Sequence, residues 1–209
     1  LTVPKCISEC GGIRIFGRRI KSLVFSTDVA IIKNVNADAI IAVYPFTPQP
    51  SITQAIISVS EVPVFVGVGG GMTNGDRSVR LAEFSEHQGA SGVVVNAPIS
   101  NETIAKMKAV VDIPVVTTIV SGDMDIAGRL AAGADILNVS GASRTPEIVT
   151  KIRAEFPTVP IIATGGPREE DILRTIEAGA NAITYTPPTT GQLFADIMIS
   201  HRKNFSHQD

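Results

Sequence analysis

The 209-residue sequence predicts an α/β protein folded as a single (βα)8 TIM barrel, and three observations carry that expectation. The first is an internal repeat. Val-Pro-Val, Ile-Pro-Val and Val-Pro-Ile, each followed by an apolar run and then glycine, recur at Pro63, Pro114 and Pro160. A second series interleaves with it at Gly89, Gly133 and Gly179, in HQGASGVVVNAP, AAGADILNVSGA and EAGANAITYTPP, with a weaker early member around Ala37-Asp38-Ala39. Such self-similarity marks one supersecondary unit used repeatedly. The second observation is the character of the apolar runs. Val93–Val95 and Ile161–Ala163 are β-branched, too short for helices and not alternating with polar residues, which is how strands buried on both faces of a parallel sheet read. The third is what lies between them: helix-periodic segments, several closed by Gly-Ala, with the glycine suited to a left-handed cap.

Taken in order, the expected strands are residues 21–27, 38–44, 63–68, 91–96, 114–120, 135–140, 160–164 and 181–186. Four of the intervening helices are expected at Glu102–Val111, Met124–Ala132, Pro146–Glu155 and Glu169–Ala178. Proline just ahead of a strand sits where its missing N–H does no harm. Eight units in this length make a barrel near the small end of the range. An open doubly wound sheet would need more polar edge strands and would lack the regular two-strand repeat. No linker or composition shift divides the chain, so residues 1–209 are expected as one domain with residues 1–20 as an extension. The Gly11-Gly12 turn and the basic cluster Arg14, Arg18, Arg19 and Lys21 in that extension suit either a plug for the N-terminal mouth or a solvated rim.

Composition narrows the function classes. Hydrophobic residues are 44% and charged residues 18%, against a usual charged share of about 25%. Disorder is excluded by that balance. The net charge of −2 leaves no basic surplus to attract nucleic acid or an anionic membrane. No apolar run approaches the ~20 residues of a membrane span. LTVPKCISECGG carries no signal-peptide core and HRKNFSHQD no sorting or lipidation motif, so a cytoplasmic setting is expected. Low charge and a broad helical exterior are compatible with a homo-oligomer.

Active sites of such barrels lie at the C-terminal ends of the strands. Candidates there are Asp28 after the first strand, Asn96 after the fourth, and Asn138, Ser140 and Arg144 at the sixth. Asp28 reads either as a general base or as the N-cap of DVAIIKN. Asn96, Asn138 and Ser140 suit positioning of a polar ligand. Arg144 suits a substrate anion or a surface ion pair, and Tyr185 suits proton delivery or ring packing at the rim. Several chemistries lack their residues. No lysine ends a strand, so a Schiff-base nucleophile is missing. His87, His201 and His207 fall on a helix or in the tail, so no metal is expected. Gly-x-Ser-x-Gly does not occur. Cys6-x3-Cys10 has no second pair. GVGGGMTNG places Met72 where a dinucleotide fingerprint needs its third glycine, leaving a loop for close ligand approach or a tight turn.

Thr164-Gly165-Gly166 has the clearest mechanism. Glycines let a ligand approach the backbone, and the following helix N-terminus attracts anions. The eighth loop adds Thr186, Thr189, Thr190 and Gly191. PIIATGGPREEDILRTIEAGANAITYTPP resembles the C-terminal quarter of phosphate-binding barrels: hexosamine-6-phosphate epimerases, the ribulose-phosphate and indole-glycerol-phosphate groups, inosine monophosphate dehydrogenase and flavin-dependent nitronate monooxygenases. The motif resemblance covers residues 112–195. It implies a small phosphorylated or other anionic metabolite, acid/base chemistry of an isomerase, epimerase or lyase, and no cofactor, with FMN as the alternative. Thr186-Pro187-Pro188 departs from the Gly-Ser or Gly-Thr usual in those barrels and removes two N–H donors. The whole chain also resembles bacterial barrel proteins labelled hydrolases. Asp28, Asp76 and Asp123 could in principle hold Mg²⁺ with waters for such a reaction, an arrangement that no spacing supports. A more distant resemblance, to glycerol-uptake antiterminator barrels, implies a non-catalytic phosphate sensor.

Overall fold

The computed structural model describes residues 1–205. A 3₁₀ turn at Lys5–Glu9 leads into an antiparallel hairpin of β1 (Ile13–Ile15) and β2 (Arg18–Ile20). Eight strands follow: β3 (Ser22–Phe25), β4 (Ala39–Ala42), β5 (Val64–Gly69), β6 (Gly92–Val95), β7 (Val115–Ile119), β8 (Ile136–Val139), β9 (Ile161–Thr164) and β10 (Ala182–Tyr185). They pair in parallel and close in the order β10-β3-β4-β5-β6-β7-β8-β9. The helices are α1 (Val29–Lys33), α2 (Pro50–Val59), α3 (Gly75–His87), α4 (Asn101–Lys108), α5 (Ile126–Ala131), α6 (Thr145–Glu155), α7 (Glu169–Glu177) and α8 (Thr190–Phe205). This is the expected (βα)8 barrel. His87 ends α3 and His201 lies on α8; His207 lies outside the described residues.

Both-sided burial explains why the strand runs do not alternate. Leu23, Ile41, Phe65, Val94, Val116, Ile136, Ile162 and Ala182 point inward and form one cluster. Their neighbours Val24, Ile40, Val66, Leu137 and Ile183 point outward and pack beneath the helices. Phe65 is fully buried and pairs in register with Gly92. A Cβ on Gly92 would lie 2.6 Å from the Phe65 ring at Cε1, so the small residue makes room for the large one.

Three members of the second series, which carry Asp38, Asp135 and Asn181, have a specific task. Asp38 Oδ2 accepts from the N–H groups of Lys21 (2.9 Å) and Ser22 (3.0 Å), Asp135 Oδ2 from Val115 (2.8 Å), and Asn181 Oδ1 from Ile161 (2.8 Å). Each fastens the start of the neighbouring strand. Gly133 and Gly179 turn the chain at φ 108° and 109°, which only glycine adopts without strain.

Residues 1–20 do plug the N-terminal mouth, but with isoleucines. Ile13, Ile15 and Ile20 join the interior cluster, while Arg14, Arg18 and Arg19 stay exposed. The hairpin turns at Phe16-Gly17, both at positive φ (47° and 79°), instead of at Gly11-Gly12. That two-residue turn matches the twist of paired strands. The 3₁₀ turn packs beside α7, burying Cys6 and Cys10. Burial pushes the Cys10 thiol up to about 11. These are packing thiols. Most of α8 faces outward, with Phe194, Ile197 and Ile199 each at least half exposed. No helix among the described residues is long and apolar enough to cross a membrane.

Candidate functional site

The C-terminal ends of β8, β9 and β10 open into a cavity of about 1370 Å³. Ser140 and Ser143 line one side, Thr164, Gly165 and Gly166 the next, and Thr184, Tyr185, Thr186, Pro187 and Pro188 the third. Arg168 just ahead of α7, Asp171 and Arg174 on it, and Gln192 and Asp196 from α8 also line the wall.

Strand alternation sets an inward tier, of which Thr164 and Thr184 line the cavity and Thr118 and Asn138 do not. Val116, Ile136, Ile162 and Ala182 face inward, so Thr118, Asn138, Thr164 and Thr184, two residues on, face inward one tier higher. Asn138 Nδ2 donates to Thr118 Oγ1 (3.3 Å), and Thr164 Oγ1 donates to Val139 O (3.1 Å). Thr184 differs. It is 5% exposed, and its hydroxyl has no hydrogen-bond partner among the described residues. Native proteins leave few such groups.

Both loop glycines have packing reasons of their own. A Cβ on Gly165 would lie 2.7 Å from Ile172 and 2.8 Å from Ile183, so its absence brings α7 close to β10. Gly166 sits at φ 80°, and its N–H has no partner among the described residues. The α7 entrance is acidic: Glu169, Glu170 and Asp171 occupy the first turn, and Arg168 pairs with Asp171 at 3.0 Å. That guanidinium holds the Asp171 carboxyl below its usual range. Arg174 carries no ion pair among the described residues.

The eighth loop is largely self-satisfied. Thr189 N–H donates to Gln192 Oε1 (2.8 Å) and Gln192 N–H returns to Thr189 Oγ1 (3.2 Å), a reciprocal capping box. Thr190 Oγ1 donates to Asp28 Oδ2. Thr189 and Gln192 thus cap each other at the start of α8, while the Thr190 and Gly191 N–H groups have no partner among the described residues, and none of Thr189, Thr190 and Gly191 lines the cavity. Thr186, Pro187 and Pro188 do line it, but the prolines bring no N–H.

The remaining expected residues separate. Asp28 is the N-cap of α1: its Oδ1 accepts from Ala30 (2.9 Å) and Ile31 (3.3 Å). With both oxygens engaged and no place in the cavity wall, it anchors the eighth loop to the first. Arg144 turns to Glu147 (3.3 Å) and does not line the cavity, so the surface ion pair is what forms. Asn96 lines a different, smaller cavity, and its Oδ1 accepts from Ala97 N–H (2.8 Å). The Tyr185 ring packs against both helix-facing clusters while edging the cavity. Asp76 pairs with Lys106 and Asp123 with Lys151, so neither joins Asp28. No cluster of three or more His, Cys, Asp or Glu side chains occurs among the described residues. Thr184, Asp171, Arg174 and Asp196 were not foreseen; the signal for Thr184 was its even spacing from the inward Ala182.

The Asp28–Thr190 contact sets a pH expectation. The Thr190 hydroxyl first, then the N–H groups of Ala30 and Ile31, lower the Asp28 pKa against its partial desolvation. A carboxyl lowered on folding contributes stability above its unfolded value of about 3.9 and loses it as pH falls through the folded value. Thr190→Val is expected to move the Asp28 midpoint upward in a carboxyl-¹³C titration. An unchanged midpoint would mean that the contact does not form.

The closed eight-stranded parallel barrel, with a cavity at the C-terminal ends of its strands, is a (βα)8 TIM barrel. No protein-family model and no curated protein sequence matches the chain. Among solved structures it is similar to 2,3-dimethylmalate lyase, a PEP mutase/isocitrate lyase superfamily member: TM-score 0.69, 13% identity, covering 95% of this chain and 84% of that one. It is similar also to phosphonopyruvate hydrolase in complex with oxalate and Mg²⁺, with TM-score 0.65, 15% identity, and 90% and 82% coverage. A mandelate oxidase variant with an FMN monooxide adduct gives TM-score 0.62, 18% identity, and 85% and 68% coverage. Likeness at these identities establishes the fold.

Proposed function

We propose that this protein is an enzyme acting on a small anionic metabolite, phosphorylated or otherwise, by proton-transfer chemistry of the isomerase, epimerase or lyase kind. One observation carries the reading: a buried, unpartnered Thr184 hydroxyl on the floor of a large cavity at the catalytic end of a barrel. An unmatched buried hydroxyl costs stability, and a ligand that supplies its partner recovers that cost. The Gly166 N–H, the Ser140 and Ser143 hydroxyls and Arg174 are the donors available to an anion around it. Asn138 lies off the cavity wall and is held to Thr118 in the same inward tier. On the wall, Tyr185 and Asp196 are the groups placed to move a proton, Asp171 being tied to Arg168. Asp28 fits this reading as the residue that positions loop eight. The superfamily with a phosphate cup between loops seven and eight remains the frame, with fewer peptide donors because of Pro187 and Pro188. Lyases and phosphonate enzymes among the similar structures are consistent with such chemistry.

The test is a calorimetric titration with inorganic phosphate and a panel of phosphorylated and carboxylated metabolites, followed by turnover of any binder. Phosphate binding that Ser140→Ala/Ser143→Ala weakens at least fivefold is expected. No binding by any anion overturns the proposal. FMN is a second reading, favoured by volume alone, since the cavity exceeds the roughly 300–1,000 Å³ usual for small ligands. Thr189, Thr190 and Gly191 lie off the cavity wall and the two prolines bring no N–H, which leaves few donors for its phosphate. Protein that stays colourless after addition of FMN removes that reading.

A further inference from the structure

We infer that the barrel mouth carries a second, apolar subsite that accepts one aromatic ring or short alkyl group of the ligand whose anionic end lies at β8–β10. The inference rests on the proposed function and gives its ligand an uncharged, apolar body.

A separate cavity of about 180 Å³ lies at the C-terminal ends of β4, β5 and β6. Val43, Tyr44, Phe46, Gly67, Met72 and Asn96 line it, and no charged side chain does. In the ring order β10-β3-β4-β5-β6-β7-β8-β9, β5 stands four places from β9 in either direction. The two cavities therefore lie on opposite sides of the C-terminal end of the barrel. Their chemistry differs: hydroxyls, a free N–H and arginines on one side, aromatic and aliphatic groups on the other. An apolar cavity of roughly 150 Å³ is enough to hold benzene, so this one has the size of a single ring.

Phe46 and Met72, at the edge of this space, are the most exposed large hydrophobics among the described residues, at 69% and 81%. Their loops are nonetheless organised. Thr73 Oγ1 donates to Thr47 Oγ1 (3.2 Å), joining the loops after β4 and β5. Tyr44 accepts from Gln49 N–H (2.8 Å), and Asn74 Nδ2 donates to Gly71 O (2.7 Å). Two apolar side chains held open over a ring-sized hollow, inside a substrate mouth, are arranged to be covered by ligand.

The glycine run GVGGGM divides along the same line. A side chain on Gly69 would strike Ser78. One on Gly70, at φ 89°, would come 2.5 Å from the Asn96 backbone. Those two glycines serve packing. Gly67 faces the hollow, where a Cβ would press on both Val43 methyls at 3.2 Å, and Gly71 has nothing within 4 Å. Those two keep the hollow open.

The experiment compares inorganic phosphate with 4-phenylbutyl phosphate by calorimetry, on the wild type and on Phe46→Ser/Met72→Ser. The expected result is at least tenfold tighter binding of the phenylbutyl ester by the wild type, with that ratio falling below threefold in the double variant. Equal affinities in the wild type, or a ratio that survives the double substitution, overturn the inference. Phosphate binding without a phenylbutyl advantage would leave the anion reading standing and remove the apolar subsite alone. If phosphate does not bind, uncharged 4-phenylbutanol tests the subsite by itself. Its binding, lost in the double variant, supports the hollow, and no binding refutes it. A double variant that changes only oligomeric state in sedimentation would assign these side chains to a protein contact and refute it as well.

Discussion

Phe65→Ala is expected to cost about 3–5 kcal/mol, the usual toll for emptying a buried phenylalanine site. In a chain of this size that lowers the melting temperature by very roughly 6–20 °C, at about 2–4 °C per kcal/mol. The position explains the magnitude. Phe65 is fully buried in the closed interior, where rigid strands on every side restrict collapse onto the cavity. Its partner in register is Gly92, and the two share one volume. Gly92→Ala alone overpacks that volume and is expected to cost about 1–3 kcal/mol. Together the substitutions should cost less than the sum of their separate effects, because the new methyl occupies space the ring has left. Contacting residues couple by about 0.5–3 kcal/mol. Urea midpoints of the four proteins measure the cycle. Strict additivity would show that Gly92 is not what accommodates the ring.

That pair also indicates what the sequence makes legible. Short β-branched runs could be placed as strands because burial on both faces removes polar alternation, and the recurring Gly89, Gly133 and Gly179 units, with the weaker Ala37-Asp38-Ala39, marked the region from which Asp38, Asp135 and Asn181 fasten strand starts. The plug was partly visible. Three-residue strands are too short to show a period, but IRIFGRRI holds two isoleucine-bearing runs around a Phe-Gly turn. The rim is harder, because its residues meet through loops distant in sequence. Thr190 reaches Asp28 across 162 positions, a contact no local pattern announces. Other rim residues were readable from their neighbours. Arg144 has Glu147 three residues on, and Thr189 has Gln192 at capping-box spacing, so both find local partners before any ligand does. Thr184 carries the faintest signal of all, since it lies within the strand and is aimed inward by alternation alone.

Thr184→Val separates a binding hydroxyl from a structural one, because the two roles predict opposite signs. If the hydroxyl awaits a ligand, the unliganded protein carries a buried polar group with no partner. Valine keeps the shape and removes the polar atom, so stability should stay level or rise, by up to about 1–3 kcal/mol. Ligand affinity should fall at the same time. A hydrogen bond to a charged group is worth about 1.5–3 kcal/mol, so phosphate binding should weaken roughly 10- to 150-fold. Melting temperature and calorimetric affinity, read on the same samples, give both signs. A variant that is destabilised with unchanged affinity would mean that Thr184 already has an internal partner, such as a buried water. The cavity floor would then be structural, and the anion would have to be held by the Gly166 N–H, the Ser140 and Ser143 hydroxyls and Arg174. Thr164→Val provides the contrast. Its hydroxyl already donates to Val139 O in the unliganded barrel, so its loss should lower stability by about 0.5–1.5 kcal/mol whether or not a ligand is present.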